Sequence, residues 1–319
     1  MRDFKYRHLL TRTPSIPGHI ASLKTDFLKP WLSLFESNLQ RTANLAVMPA
    51  MIATYVRRDQ VFLSNANFRL YNKGEYSLEE VLNQVFTIEM EAELTHQLEA
   101  FDRDPNALDR YARGPFGCGF IEGHLTMNNR GMQSGMDAIF SSIVMESWTA
   151  FESLSSDLWV SAIDEGPRVL GNTVVNNSKQ LIPSDSITVK ILRELEYDAR
   201  KELGMFLRET RRVSFQTLDK MKTAYSIAFG EAAEKLFKDT NNGYIDALSA
   251  FRNIFAHKLG KADKEFFRSV QKFAEFRGIK VDEQIYLDGE VVSKLRDAAM
   301  LMGIALVKFV DDFIVADKT

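Results

Sequence analysis

The sequence predicts an all-α protein with one helical module in each half. Apolar side chains recur at three- and four-residue spacing through most of the chain, whereas the strict alternation typical of strands is scarce. The 319 residues are 45% hydrophobic and 26% charged, a balance that supports a buried core rather than disorder. A chain of this length is expected to hold about two domains.

The first half is predicted to contain two helices followed by a loop. The first helix covers about 26–58 and is expected to kink or break at Pro49, because proline lacks the N–H group that a helix uses. The second opens at Ser77 with a capping-box pattern and continues to about Phe101. Residues 102–130 carry two prolines and four glycines, more than we expect a helix to tolerate. We therefore place a loop and a domain boundary there, which defines an N-terminal module at 1–130.

The second module, at 131–319, is predicted to be a helical bundle. Helical spacing places its helices at about 135–164, 187–208, 215–237, 244 to shortly before Gly260, 263–276 and 290–315. A short extended piece is expected at 284–287. The adjacent carboxylates Asp311 and Asp312 are interpreted as the solvated end of the last helix.

Composition limits the compartment and the cofactors. The single cysteine, Cys118, excludes a disulfide or a cysteine-based zinc cage within these residues, which indicates a reducing compartment. The N-terminus lacks the apolar region of a secretory signal, and the longest apolar run, 298–307, is far shorter than the ~20 residues that cross a bilayer. We therefore expect a cytoplasmic protein with no membrane partner. Scattered histidines and glycines without phosphate-binding spacing predict no metal and no cofactor.

Charge is distributed unevenly along the chain, although its net value is only −3. Residues 75–109 contain ten acidic side chains and one basic one, whereas residues 252–280 contain eight basic and three acidic ones. The two halves are therefore expected to present different surfaces to a charged partner.

The pattern most suggestive of chemistry is the segment 251–260, Phe-Arg-Asn-Ile-Phe-Ala-His-Lys-Leu-Gly. On an ideal helix, Arg252, Asn253 and His257 fall within an arc of about 140°, so one cleft can contain all three. Asn253 and His257 are four residues apart, which allows the amide to orient the imidazole and select its tautomer. Gly260 suits a helix end with left-handed backbone, which places His257 at the exposed end of the helix.

This segment resembles the Arg-Asn-x-x-x-His motif of HEPN domains, which occur in RNase toxins, anti-phage abortive-infection proteins and RNA-processing nucleases. The resemblance covers about residues 131–319 and implies a bundle that dimerises and cleaves RNA without a metal, with two copies of the motif meeting across the interface. It implies catalytic roles for Arg252 and His257 and an orienting role for Asn253. Non-catalytic members exist, and the segment also fits a capped helix end. The alternative is therefore a helical module that binds RNA, nucleotide or protein without catalysis.

Basic side chains around the motif fit an RNA-binding surface. Lys264, Arg268 and Lys272 are spaced four residues apart on one predicted helix, and Lys258 and Lys261 lie in the loop before it. An ordinary solvated helix face also carries such charges, and that alternative stays open.

Glu152 is a candidate auxiliary residue. It shares a second stripe of the helix at 135–164 with Met145, Trp148 and Trp159, and it can approach the arginine and histidine. We favour the other interpretation, a helix-packing or dimer surface in which the glutamate pairs with an arginine. Residues 1–130 have no assigned role. One hypothesis is that they respond to a trigger or regulatory partner, with the acidic segment competing with RNA for the basic surface.

Overall fold

The computed structural model describes residues 4–10, 16–72, 88–126, 130–177, 202–210, 213–240 and 243–318, with the single residues 74, 77 and 193. This part of the chain is mainly helical and contains no strand, which confirms the all-α prediction. Its helices are α1 (Tyr6–Leu10), α2 (Pro17–Ala21), α3 (Lys29–Asn72), α4 (Ile88–Arg103), α5 (Ala107–Arg113), α6 (Pro115–Thr126), α7 (Arg130–Glu165), α8 (Asn172–Asn177), α9 (Leu203–Thr210), α10 (Leu218–Phe229), α11 (Glu231–Thr240), α12 (Tyr244–His257), α13 (Lys264–Val270) and α14 (Gly289–Lys318). Among them, none combines the length and the apolar character needed to span a membrane.

The chain divides into two compact units. The first comprises Met1–Arg12, Asn44–Met136 and Asp288–Glu290, and the second comprises Thr13–Ala43, Asp137–Leu287 and Val291–Thr319. One boundary, at 136/137, lies close to the predicted one at 130/131. The division differs from the prediction because residues 13–43 belong to the second unit. Each unit therefore combines segments from both ends of the sequence.

The first unit has an aromatic cluster at its core. The ring of Phe62 lies edge-on to those of Phe101 and Tyr111, with centroids 5.4 and 5.7 Å apart. Such pairs add to the free energy gained by burial alone. The cluster joins α3, α4 and α5, because each helix contributes one of the three rings.

The loop predicted at 102–130 is wrong, because α5 and α6 occupy most of it. Gly117 explains the error: a Cβ at this position would lie 2.5 Å from the carbonyl oxygen of Ala112. The glycine is needed for close packing inside a helix, and the contact offsets its low helix propensity. At Pro49 the helix does not break, since α3 continues past it to Asn72. The capping box after Ser77 lies outside the described residues.

The core of the second unit joins α7 to α10 through two buried aromatic side chains. Trp159 Nε1 donates a hydrogen bond of 2.9 Å to the carbonyl oxygen of Ala224. Tyr225 donates from its hydroxyl to the carbonyl oxygen of Ser155 at 2.9 Å, and burial raises the pKa of this tyrosine. Both polar tips are therefore satisfied, as buried aromatic donors require.

The predicted helix at 215–237 is two helices, α10 and α11. Gly230 separates them: it adopts a φ of +64°, and its N–H donates to the carbonyl oxygen of Ser226 at 2.9 Å. This left-handed φ ends α10, since non-glycine residues adopt it at a cost. Of the helix predicted at 187–208, only the last part is described, as α9; residues 178–192 and 194–201 lie outside the described residues.

The interpretation of Asp311 as a solvated residue is wrong. Its side chain is 3% exposed and accepts hydrogen bonds from the backbone N–H groups of Lys24 and Thr25, each at 2.9 Å, and from the Thr25 hydroxyl at 2.7 Å. Asp312, the next residue, is exposed and pairs with Lys24 Nζ at 2.6 Å. One carboxylate of α14 therefore holds the segment before α3, while its neighbour meets solvent.

We expect Asp311→Ala to lower the free energy of unfolding by about 1–3 kcal/mol, because three donors at a partly buried position lose their acceptor. Asp312→Ala is the matched control and should change stability little, since exposed ion pairs contribute weakly. Urea denaturation of the two variants measures the difference. Equal losses at the two positions would contradict the role assigned to Asp311.

Candidate functional site

The candidate site is built on α12, which confirms the helix predicted for the motif. Phe251 and Ile254 are buried, and the ring of Phe251 packs on Phe266 and Phe276 with centroid separations of 4.9 and 5.1 Å. These contacts fix the rotation of the helix about its axis. Arg252, one residue further on, is consequently held at the edge of the core with its side chain 22% exposed.

Arg252 has two polar neighbours. Its Nη1 donates to Asn253 Oδ1 at 3.2 Å, and its Nη2 lies 4.0 Å from Glu152 Oε2. The same Glu152 oxygen accepts a hydrogen bond of 2.8 Å from Trp148 Nε1. Because the indole is fully buried, it holds the carboxylate in place beside the guanidinium. Glu152 therefore orients Arg252 from α7.

The tryptophan stripe of α7 packs inside the second unit. Trp148 and Trp159 are both fully buried, and Trp148 contacts the ring of Phe151 edge-on at 5.9 Å. The two tryptophans therefore pack between helices, and their burial leaves no surface for a second copy of the chain to contact. Glu152, paired with Arg252, is the member of the stripe that reaches the candidate site.

His257 lies at the exposed end of α12. The helix ends with hydrogen bonds to the carbonyl oxygen of Ile254 from the N–H groups of Lys258 at 2.9 Å and Gly260 at 3.0 Å. Gly260 has the predicted left-handed φ, +77°, and Leu259 before it has φ +52°. This arrangement satisfies the carbonyl oxygen of Ile254, and the imidazole of His257 faces solvent.

The predicted bond between Asn253 and His257 is not formed. Within the described part of the chain, the imidazole makes no hydrogen bond, and the Asn253 oxygen accepts from Arg252 instead. A charged donor forms the stronger hydrogen bond, so the amide serves the arginine. Both imidazole nitrogens of His257 are left available for proton transfer.

We expect Gly260→Ala to destabilise the protein and disturb the end of α12. A left-handed backbone costs a non-glycine residue about 1–2 kcal/mol, and a Cβ here would lie 2.7 Å from Gln284 Nε2 and 3.3 Å from the ring of Phe255. Gly278 is the matched control, because it has φ +95° and open space around the position of a Cβ. Thermal denaturation should show a larger loss for Gly260→Ala than for Gly278→Ala, and the reverse order would contradict the packing argument.

Four of the five predicted basic residues are exposed, two in the loop that follows His257 and two on α13. Lys258, Lys261, Lys264 and Arg268 are exposed and make no ion pair with any described residue. Lys272 differs, because its Nζ lies 3.4 Å from Asp246 Oδ2 and so is partly neutralised. It also follows the end of α13 rather than continuing that helix. The predicted stripe therefore retains two members on α13 and two in the preceding loop.

Two cavities lie in the second unit, and only the first is lined by residues of the motif helix α12. A cavity of about 190 Å³ is lined by Asn253 and by the acidic side chains Asp219, Asp246, Asp263 and Glu265. It contains no basic lining residue and is unsuited to a phosphate. No group of acidic, histidine or cysteine side chains in the described ranges has a geometry that could hold a metal ion.

The second cavity, a cleft of about 480 Å³, contains functional candidates that the sequence analysis missed. Glu152 and Asp157 of α7 line one side, and Arg208 of α9 lines another. Burial raises the pKa of Asp157, and the charge of Arg208 opposes that shift. The spacing of these residues gives no motif. Only the five-residue separation of the two carboxylates on one helix could have pointed to a shared cleft.

Comparison of the chain with protein-family models, curated proteins and solved structures found no match. The resemblance to HEPN domains therefore rests on the motif, on the helix that carries it and on the surrounding bundle.

Proposed function

We propose that the protein is a metal-independent endoribonuclease of the HEPN type, in which Arg252 and His257 carry the chemistry. The observation that supports this most directly is that α12 carries both an exposed, unbonded His257 and an Arg252 that is held by Asn253 of the same helix and by Glu152 of α7. This gives a free proton carrier and a fixed cation at one end of α12. Those two groups are what phosphodiester cleavage requires.

The proposed reaction is attack of the RNA 2′-hydroxyl oxygen on the adjacent phosphorus. The 2′-oxygen loses its proton as its bond to phosphorus forms, and the bond between phosphorus and the 5′-oxygen breaks. A proton must then reach the departing 5′-oxygen, so that the products are a 2′,3′-cyclic phosphate and a 5′-hydroxyl. Histidine has an unperturbed pKa near 6.5 and can accept or donate a proton at cellular pH. The guanidinium of Arg252 stabilises the charge on the phosphoryl oxygens.

A homodimer completes the proposal. Removal of one proton and delivery of another occur on opposite sides of the phosphorus, so two histidines serve the reaction better than one. The resemblance to HEPN domains supplies the second histidine from another copy of the chain. The exposed Lys258, Lys261, Lys264 and Arg268 support RNA as the partner, since each can neutralise a backbone phosphate.

The proposed setting is a toxin or anti-phage effector whose first 130 residues respond to a trigger. The two-unit division affects how this is tested. A truncation before Arg130 would remove residues 13–43 of the second unit, so a change in activity would not report on regulation alone. Charge-neutralising substitutions in the acidic segment, such as Glu99→Gln, leave both units complete and are the better probe.

The test of the proposed function is incubation of the purified full-length chain with single-stranded RNA in excess chelator. Cleavage that leaves 2′,3′-cyclic phosphate ends supports the proposal. Intact RNA at every protein concentration, with binding retained, would favour the second candidate, a non-catalytic RNA-, nucleotide- or protein-binding module. One observation favours that candidate: Arg252 is paired with a carboxylate, as in a purely structural helix end.

A further inference from the structure

We propose that the cleft between α7 and α9 binds a guanine base. This inference rests on the proposed function and extends it. If the protein cleaves RNA, the bound base belongs to the nucleotide next to the cleaved phosphate. The cleft is lined by Glu152, Ser156, Asp157, Arg208, Ser214 and Gln216, among others. Its volume of about 480 Å³ falls within the range of about 300–1,000 Å³ that is usual for small-molecule sites.

Two groups in the cleft lack the partners that buried polar groups normally have. Ser156 is 6% exposed, and its hydroxyl makes no hydrogen bond within the described part of the chain. Asp157 is partly buried and forms neither a hydrogen bond nor an ion pair with any described residue. Leaving such groups unpaired costs free energy, which a ligand with matching donors would recover.

The polar groups of the cleft match one nucleobase better than the other three. Guanine presents two adjacent N–H donors, at N1 and N2, which a carboxylate can accept together. Its O6 and N7 atoms are acceptors suited to a guanidinium. Asp157 and Arg208 supply these two complements in one cleft. Adenine and cytosine pair a donor with an acceptor on the same edge, and uracil places one donor between two acceptors.

The position of the cleft connects it to the motif. Glu152 lines the cleft, and its Oε2 atom lies 4.0 Å from Arg252 Nη2. Only the side chain of Glu152 therefore separates a base bound in the cleft from the guanidinium of Arg252, to which we assign the phosphate. The cleft would thus select the nucleotide that Arg252 and His257 act on.

The first measurement is binding of GMP, AMP, CMP and UMP by isothermal titration calorimetry. The full-length wild-type protein is used, since a nucleoside monophosphate contains no phosphodiester bond that the proposed reaction could cleave. We expect GMP to bind at least about tenfold more tightly than the others, because each of the other bases offers the carboxylate one donor on that edge instead of two adjacent ones. Asp157→Asn should lower GMP affinity at least about tenfold and raise AMP affinity, since an amide matches adenine.

Asp219→Asn is the matched control, because this exposed carboxylate lines the other cavity and should leave GMP binding unchanged. Thermal denaturation of both variants checks that the fold is retained. Equal affinity for all four nucleotides, or GMP binding that Asp157→Asn does not weaken, would overturn the guanine site.

The second measurement separates RNA from a free guanine nucleotide as the source of the base. Wild-type protein is incubated with single-stranded RNAs that contain guanosine at one position. Cleavage beside that guanosine, inhibited by GMP, identifies RNA. GMP binding without cleavage of any RNA identifies a free nucleotide, so the cleft assignment stands while the nuclease proposal fails. Cleavage without base preference and without GMP binding overturns the cleft assignment alone.

Discussion

Replacing His257 by alanine is expected to lower RNA cleavage by at least about a hundredfold, the lower end of what general acid–base catalysis contributes. Stability should not change, because the imidazole is exposed and makes no hydrogen bond to a described residue. The measurement is the single-turnover rate of formation of 2′,3′-cyclic phosphate ends, with circular dichroism as the test of folding.

His96→Ala is the matched control, since this histidine is also exposed but lies in the first unit. Arg252→Lys provides a second comparison: it keeps the charge but loses the forked donors that hold a phosphate and Asn253. We expect its cleavage rate to fall between those of wild type and Arg252→Ala. Full activity in His257→Ala would remove the basis of the catalytic proposal.

Replacing Trp159 by alanine is expected to lower the free energy of unfolding by about 3–5 kcal/mol, the usual loss for truncating a buried large aromatic side chain. Trp159 is fully buried, contacts the ring of Phe215 edge-on at 5.9 Å and donates to the carbonyl oxygen of Ala224. The substitution creates a cavity between α7 and α10 and removes that hydrogen bond. Urea denaturation followed by far-UV circular dichroism gives the value.

Trp31→Ala is the control of the same residue type, because Trp31 is only partly buried in the second unit. Trp31→Ala should lower the free energy of unfolding clearly less than Trp159→Ala does. Trp159→Phe refines the result, since it keeps most of the apolar volume but not the hydrogen bond. A decrease in the free energy of unfolding of less than about 1 kcal/mol for Trp159→Ala would show that Trp159 contributes little to the packing of α7 on α10.

The part of the site that could be predicted from the sequence is the part that depends on neighbours within one helix. The apolar spacing of Leu248 and Phe251 and the position of Gly260 define where α12 runs and where it ends. The same local spacing predicts that Arg252 and His257 lie within one arc of the helix. The cleft that Glu152 lines could not be predicted, because Asp157 and Arg208 belong to separate helices and no pattern in the sequence joins them.

The failures of sequence reasoning share a physical cause. The propensity of Gly117 predicts a loop, whereas its role is set by the backbone of Ala112, which lies too close for any side chain. Asp311 and Asp312 are chemically identical neighbours, and the backbone N–H groups of Lys24 and Thr25, which donate to Asp311, distinguish their roles. Propensity describes a residue alone, while these outcomes depend on contacts that form only in the folded chain.

The hydrogen bonds that tie early residues to α14 determine when the protein can finish folding during its synthesis. Lys24 binds Asp311, 287 positions later, and the carbonyl oxygen of Phe4 accepts from Gly289. At about 5–20 residues per second, a ribosome takes on the order of tens of seconds to make the intervening chain. Neither unit can complete its own contacts before then. A protein built in this way stays incompletely folded while its own messenger is being translated.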